Sequence, residues 1–221
     1  MPRANELTTK RATLAAFVRT GSARFMLPTV AVLLAVRLLV GGWGRGDLVV
    51  LIGVVVATGP LEWFIHRNLL HADPTSWSSR TLGTGSGHCE HHLDPPELPW
   101  LLLRAIDAAV FTVILAISAV AATAPVAWLI GGGIVPSCLT AITLAAIGLA
   151  HYEWTHLLVH TAYRPRTRYY ARLDRNHRRH HYRNEHYWLG VTSNLGDRIM
   201  RTLPADDDQV PRSDTARTLA G

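Results

Sequence analysis

The stretch NHRRHHYRNEH, residues 176–186, holds four histidines in eleven residues, set among arginines. It is the last of four such places. All twelve histidines of the 221-residue chain lie between His66 and His186. Most fall into His66-x4-His71, His88-x2-His91-His92, His156-x3-His160 and His177-x2-His180-His181; His151 precedes the third group and His186 follows the fourth. Neutral imidazole is a good ligand for iron, zinc or copper. Ten grouped histidines exceed the roughly four to six ligands that one ion takes, so two ions sharing them is the natural count. Rings this dense could not all be protonated side by side, and a metal also accounts for their charge.

The spacings carry geometry. A helix turns about 100° per residue, so residues three and four apart share a face. His156 and His160 then point the same way. His177, His180 and His181 share one narrow face, as would His88, His91 and His92 on a helix. His66 and His71, five apart, sit about 140° around an ideal helix and converge only if it loosens or ends between them. The carboxylates nearby are few: Glu62, Glu90, Glu153, Asp174 and Glu185. Glu62 stands four before His66 and Glu153 three before His156, where each either orients a ligand ring through its other nitrogen, the preferred reading, or makes a plain surface or helix pair. A ferritin-type centre would need repeated Glu-x2-His pairs, and the spacing Glu153 to His156 has no clear repeat.

These residues need positioning elements, and the chain supplies apolar ones. Mean hydropathy is +0.14 and 48% of residues are hydrophobic, gathered into blocks. Membrane helices are predicted over about 27–43, 48–65, 108–124 and 126–150, each near the roughly 20 residues that cross a bilayer. Arg37 weakens the first and is expected to snorkel. Pro60 and Pro136 should kink their helices or start them late. Blocks one and two are joined by GRGD, and three and four by little more than Pro125. The polar basic N-terminus, 1–24, the stretch 66–107 and the C-terminal third then share one side. That side carries ten arginines against three acids between Arg164 and Arg201, so the positive-inside rule places both termini and the histidines in the cytoplasm. Topology and lipid contact thus absorb the net charge of +6, and nucleic acid is not expected as a partner. Cys89 and Cys138 give no disulfide framework. One domain is read over 25–203, with 204–221 a disordered tail.

Together these motifs resemble the fatty acid hydroxylase / sterol desaturase superfamily, the histidine-rich integral membrane di-iron oxygenases. LEWFIHRNLLH resembles the family's first motif, WTHLLVH its third, and HHYRNEHYWLGVTSNLGDRIM its closing segment, with Gly-Val-Thr-Ser after the last histidine pair and an aspartate soon after. The resemblance covers about 61–200. It implies an all-α, integral membrane four-helix scaffold with a cytoplasmic helical cap that carries a histidine-rich di-metal site. It implies two iron ions, which zinc can replace in purified protein, held by His66, His71, His88, His91, His92, His156, His160, His177, His180 and His181. Glu62, Glu153, His151 and His186 are expected around the ligands. The implied activity is hydroxylation or desaturation of a lipid acyl chain or related lipid, using O2 and external electrons. A sterol or carotenoid hydroxylase fits the same class. No fused cytochrome motif is seen, so a separate electron-donor protein is expected. Trp63, Trp77, Trp100, Trp154 and Trp188 flank the motifs, as an entrance lining or as interface anchors. The competing class is a non-enzymatic membrane metal-ion carrier. It would need ionisable ligands at mid-membrane, whereas the four apolar blocks lack histidine.

Overall fold

The computed structural model describes residues 2–73, 75–82 and 84–219. Every regular element among them is helical. After a 3-10 turn at Ala4–Glu6 come α1 (Lys10–Phe17), α2 (Gly21–Val40) and α3 (Arg45–Ile65), the last continuing as a π turn, His66–Leu70. Then follow α4 (Trp77–Leu82), α5 (Thr84–Leu93), α6 (Leu98–Leu101), α7 (Ala105–Leu129), α8 (Ile134–His160), α9 (Arg168–Tyr182) and α10 (Leu195–Ile199). Among the described residues, four helical stretches are long and apolar enough to cross a membrane: Gly21–Val40, Arg45–Leu70, Leu98–Leu129 and Ile134–His160. Val32, Leu39, Val55 and Ile117 stand exposed on them, so their outer faces are apolar, as lipid contact requires.

The boundaries differ from the sequence expectation in instructive ways. The first long helix starts at Gly21, six residues earlier, because the Thr20 hydroxyl accepts the N–H of Ala23 at 3.3 Å and caps it. The turn between α7 and α8 falls at 130–133, not at Pro125, which lies inside α7. A reversal needs positive φ, and Gly131 takes it at 62° without the steric cost a side chain would meet. Pro136 sits in the first turn of α8, where no N–H bond is lost. From there α8 runs unbroken past the apolar block that ends at residue 150 and carries His156 and His160 in its last turns.

The chain divides into two compact units. One comprises Val18–Thr58 and Leu103–Glu153. Here α2 packs on α7. Arg37 does not snorkel: it is 1% exposed, with Nε donating to Thr140 Oγ1, Nη1 to the Gly41 carbonyl and Nη2 to Asp47 Oδ1, each at 2.6 Å. A paired, fully bonded guanidinium can be buried among apolar helices where a bare one cannot.

The other unit comprises Met1–Phe17, Gly59–Leu102 and Trp154–Gly221. In it α5 packs against the π turn, α4 and α6. Its N-terminal residues are not a loose polar tail: Ala4 and Phe17 are buried, and the Ala4 N–H donates to the Pro96 carbonyl at 2.9 Å. Residues 204–219 are ordered as well, with Val210 and Ala216 buried; positions 220 and 221 of the expected tail lie outside the described residues. The segment is poor in apolar residues, but its backbone and side chains bond to α9 and the residues after it, a form of order that composition does not reveal.

Candidate metal centre

All ten motif histidines lie in the second unit, in two groups of five. His66, His71, His88, His92 and His180 form one, His91, His156, His160, His177 and His181 the other; in each, five ligand atoms lie within 4.8 Å of one another. The groups adjoin, with the rings of His92 and His181 only 4.1 Å apart. Eight of the ten are buried and His71 and His160 partly so.

Helix geometry explains the sorting. On α5, His88 and His92 are four apart and about 40° around the axis, while His91 lies about 60° to the other side of His88. On α9 the same holds for His177 and His181 against His180. Each His-x2-His-His motif therefore splays, with its outer pair entering one group and its middle histidine the other. The pair five apart converges by a different device. The His71 N–H donates to the His66 carbonyl at 3.0 Å, the bond of a π turn. That wider turn brings the two rings to 4.8 Å.

Backbone carbonyls, not carboxylates, hold several rings. His66 Nδ1–H donates to the Leu189 carbonyl at 2.5 Å, His92 Nδ1–H to Ala216 at 2.7 Å and His180 Nδ1–H to Tyr187 at 2.9 Å. Each bond fixes the tautomer and leaves Nε2 as a lone-pair donor facing its group. His156 is bonded to the Leu101 backbone. Tyr187 and Leu189 flank Trp188, whose φ of 53° lies in the left-handed region and whose ring is fully buried. That kink lets neighbouring carbonyls serve two different helices, an observed strain of the kind found at functional sites. Trp188 is thus core and neither an interface anchor nor an entrance lining.

Glu62 and Glu153 do not touch a histidine ring, contrary to the sequence expectation. Glu62 accepts the N–H groups of Val191 and Thr192 and the Thr192 hydroxyl, the last two at 2.7 and 2.6 Å. Asp197 accepts the N–H groups of Leu189 and Gly190 at 2.9 and 2.8 Å. The two carboxylates therefore grip the loop 189–192, and through the Leu189 carbonyl they set His66. Glu153 accepts the Leu103 N–H at 3.0 Å and bonds Ser22, all in the other unit. His151 also belongs to that unit and joins neither group. His186 is exposed at its ring, 3.6 Å from Glu185, and joins neither group. Reading by proximity in sequence missed Asp197 and the carbonyls of Tyr187, Leu189 and Ala216. The signal in the sequence was the glycines: a Cβ on Gly196 would stand 2.4 Å from the Gly59 carbonyl, so only glycine lets this loop approach α3.

The residues fit a metal. His91, fully buried, has neither ring nitrogen hydrogen-bonded, and His71, His92 and His180 each keep a buried Nε2 without a partner. Buried polar atoms left this way are costly unless a further partner takes them. Burial, first, and neighbouring rings push His71, His88, His91, His177, His180 and His181 well below 6.5, and burial brings His92 to about 3. Neutral imidazole is the form that binds a metal, and an all-imidazole set suits iron, zinc or copper.

The sequence profile of the fatty acid hydroxylase family matches residues 49–202. A dihydroceramide fatty acyl 2-hydroxylase, FAH2 of Arabidopsis thaliana, is 30% identical over 162 residues, which cover 69% of this chain and 62% of the relative. The chain therefore spans less than two thirds of that relative's length. No solved structure matches. The histidine motifs, the helical scaffold and the profile agree, and the chain belongs to the fatty acid hydroxylase family.

Proposed function

We propose that this protein is a multi-pass membrane di-iron oxygenase that hydroxylates a lipid acyl chain with O2 and electrons from a separate donor protein. The observation that carries the reading is the sorting of ten histidines into two adjoining groups of five. Two irons held there would supply the oxidising power that cleaves an unactivated C–H bond, chemistry beyond side-chain acids and bases. The chain's own part is to keep the ligand rings neutral, buried and aimed. The carbonyls of Leu189, Ala216 and Tyr187 hold His66, His92 and His180 in one tautomer. His66 directly follows α3, and His156 and His160 lie in the last turns of α8, so along each helix the histidines follow the apolar sequence, as a lipid-oxidising site would need. The arginine excess of 164–201 supports a cytoplasmic side for the ligands and both termini.

The Arabidopsis relative is named for the acyl chain of dihydroceramide, so an amide-linked acyl chain, hydroxylated next to its carbonyl, is the first substrate to assay. The test is lipid profiling of a host with and without the gene, alongside metal analysis of the iron-loaded protein. Lipids carrying one added oxygen, and about two irons per chain, are expected. Unchanged lipids, or one iron or none, would refute the di-iron hydroxylase.

A further inference from the structure

The family profile ends at residue 202, yet a ligand ring is held from beyond it. The Ala216 carbonyl accepts His92 Nδ1–H at 2.7 Å. The next residue, Arg217, donates from Nε to the His92 carbonyl at 3.2 Å and from Nη2 to the Leu93 carbonyl at 2.7 Å. These are end-of-helix carbonyls of α5, which the helix itself leaves without partners. The same guanidinium lies 5.4 Å from the ring centre of Tyr182, the last residue of α9. One arginine thus ties together the ends of the two helices that carry the His-x2-His-His motifs.

The path that brings Ala216 there is fixed along its length. Arg183 donates to the carbonyls of Val210 and Asp208, each at 2.8 Å, and its own carbonyl accepts the Ser213 N–H at 2.8 Å. Glu185 Oε1 accepts the hydroxyls of Ser213 and Thr215 at 2.9 and 2.5 Å. Ala216 is 3% exposed. A loose tail would be spared this many directional bonds.

We propose that residues 207–217 are a clasp belonging to the metal centre: they hold His92 with Nε2 turned into the group of His66, His71, His88, His92 and His180, and Arg217 is the positioning residue that locks it. The inference rests on reading the two histidine groups as metal sites, and it makes one group depend on a segment outside the family domain. The other group has no ligand bonded to the clasp among the described contacts.

The test uses zinc as the probe, since zinc reads ligand geometry and not oxygen chemistry. Full-length protein, Arg217→Ala and a chain ending at Leu203 are loaded with zinc in detergent and titrated with a chelator, with helix content followed by circular dichroism. Loss of an outer partner typically weakens metal binding about 10- to 100-fold. One zinc is expected to be weakened by that factor in both variants, with the second held as in the parent and helix content unchanged. In a His177→Ala background, Arg217→Ala should weaken the remaining zinc; in a His180→Ala background it should change nothing further. Wild-type retention of both ions in Arg217→Ala overturns the clasp. So do weakening of both together, loss confined to the His91 group, or a parent chain that takes no zinc. If the shortened chain unfolds, the point variant decides. Zinc behaviour as expected, with iron-loaded protein inactive on lipid, would refute the hydroxylase and leave the clasp standing.

Discussion

At the scale of single residues, the sorting of the histidines makes a prediction that spacing alone does not. His91 and His92 are neighbours in sequence, yet they face different groups. His91→Ala and His177→Ala should each cost the same ion, and His92→Ala and His180→Ala the other. Metal analysis of the four single variants and of the pair His91→Ala/His180→Ala checks this: about one equivalent in each single, none in the pair. Equal loss of both ions in every single variant would mean that the groups do not bind separately. A second prediction concerns protons. Burial holds the ring of His92 at about 3 and six other ligand rings well below 6.5. Between those values and 6.5 the unfolded chain binds more protons than the folded one, so stability rises with pH across that window and is lost as pH falls. The unfolding midpoint of metal-free protein in detergent should therefore drop steeply from pH 7 to pH 5. A flat profile would show that the rings are not buried neutral without metal. The ten ligand candidates were legible because a metal site leaves residue types at short, regular intervals. The partners of their second nitrogens were not. Carbonyls of Tyr187, Leu189 and Ala216 carry no side-chain signature, so Glu62 and Glu153 stood in for them by nearness along the chain.

At the scale of elements, the π turn after α3 decides whether His66 and His71 meet. Five residues span one π turn, whereas on an α-helix four do the same. Deleting Asn68, whose exposed side chain bonds the Phe64 carbonyl at 2.9 Å, should convert the turn to α-helix and keep both rings on one face. Inserting an alanine after Asn68 should swing His71 away by about 80 to 100° and release the ion of its group. Chelator titration of the two variants separates the cases, and equal tolerance of both would deny the π turn its role. The loop 187–197 makes the complementary case. A Cβ on Gly190 would lie 2.0 Å from the Ser193 carbonyl, and one on Gly196 2.6 Å from Trp63 Cβ. Gly196→Ala should cost at least the roughly 1–3 kcal/mol of overpacking, seen as a lowered unfolding midpoint, and should loosen His66 through Leu189. Helix existence was readable from hydropathy, since length and apolar content are local. The looseness between His66 and His71 was readable as a requirement but not as a π turn, because the wide bond depends on the loop that receives His66. The tail at 204–219 was misread for the opposite reason. Its composition is that of disorder, and its order comes from polar bonds to residues 179–185.

At the scale of the whole molecule, four apolar spans are an even number, so the segments before Gly21 and after His160 must share a side if all four cross. Charge then chooses the side. Ten arginines and three acids lie between Arg164 and Arg201, while the short turns at 41–44 and 130–133 contain no charged residue. Arg45, at the edge of the first turn, donates to the Gly131 carbonyl at 3.2 Å, and Arg37 is paired with Asp47 at 2.6 Å. The asymmetry therefore rests on the arginines of the C-terminal third, and the positive-inside rule predicts that this third faces the cytoplasm. This placement suits the chemistry proposed, because soluble electron donors are reached from that side. Reporter fusions should show it: a fluorescent protein joined after residue 219 or before residue 2 should fluoresce in the cytoplasm. Alkaline phosphatase inserted after Gly44 or Gly132 should be active outside. If the histidine unit and the termini instead report from the far side, the donor must be sought there, and the arginine face of α9 loses its topological explanation. If the two termini report from opposite sides, one of the four apolar helices does not cross. Leu98–Leu129 would be the least expected to fail, since it is the most apolar of the four, with mean hydropathy 2.2. Ile134–His160, at 1.7 and carrying His151, Glu153, His156 and His160 in its last ten residues, would be the first to examine. Moving the burden of crossing to its first seventeen residues still leaves about 26 Å of helix at 1.5 Å per residue, short of a bilayer core of about 30 Å. The histidine end of α8 is thus expected at the edge of the bilayer, within reach of lipid chains and of the aqueous side at once.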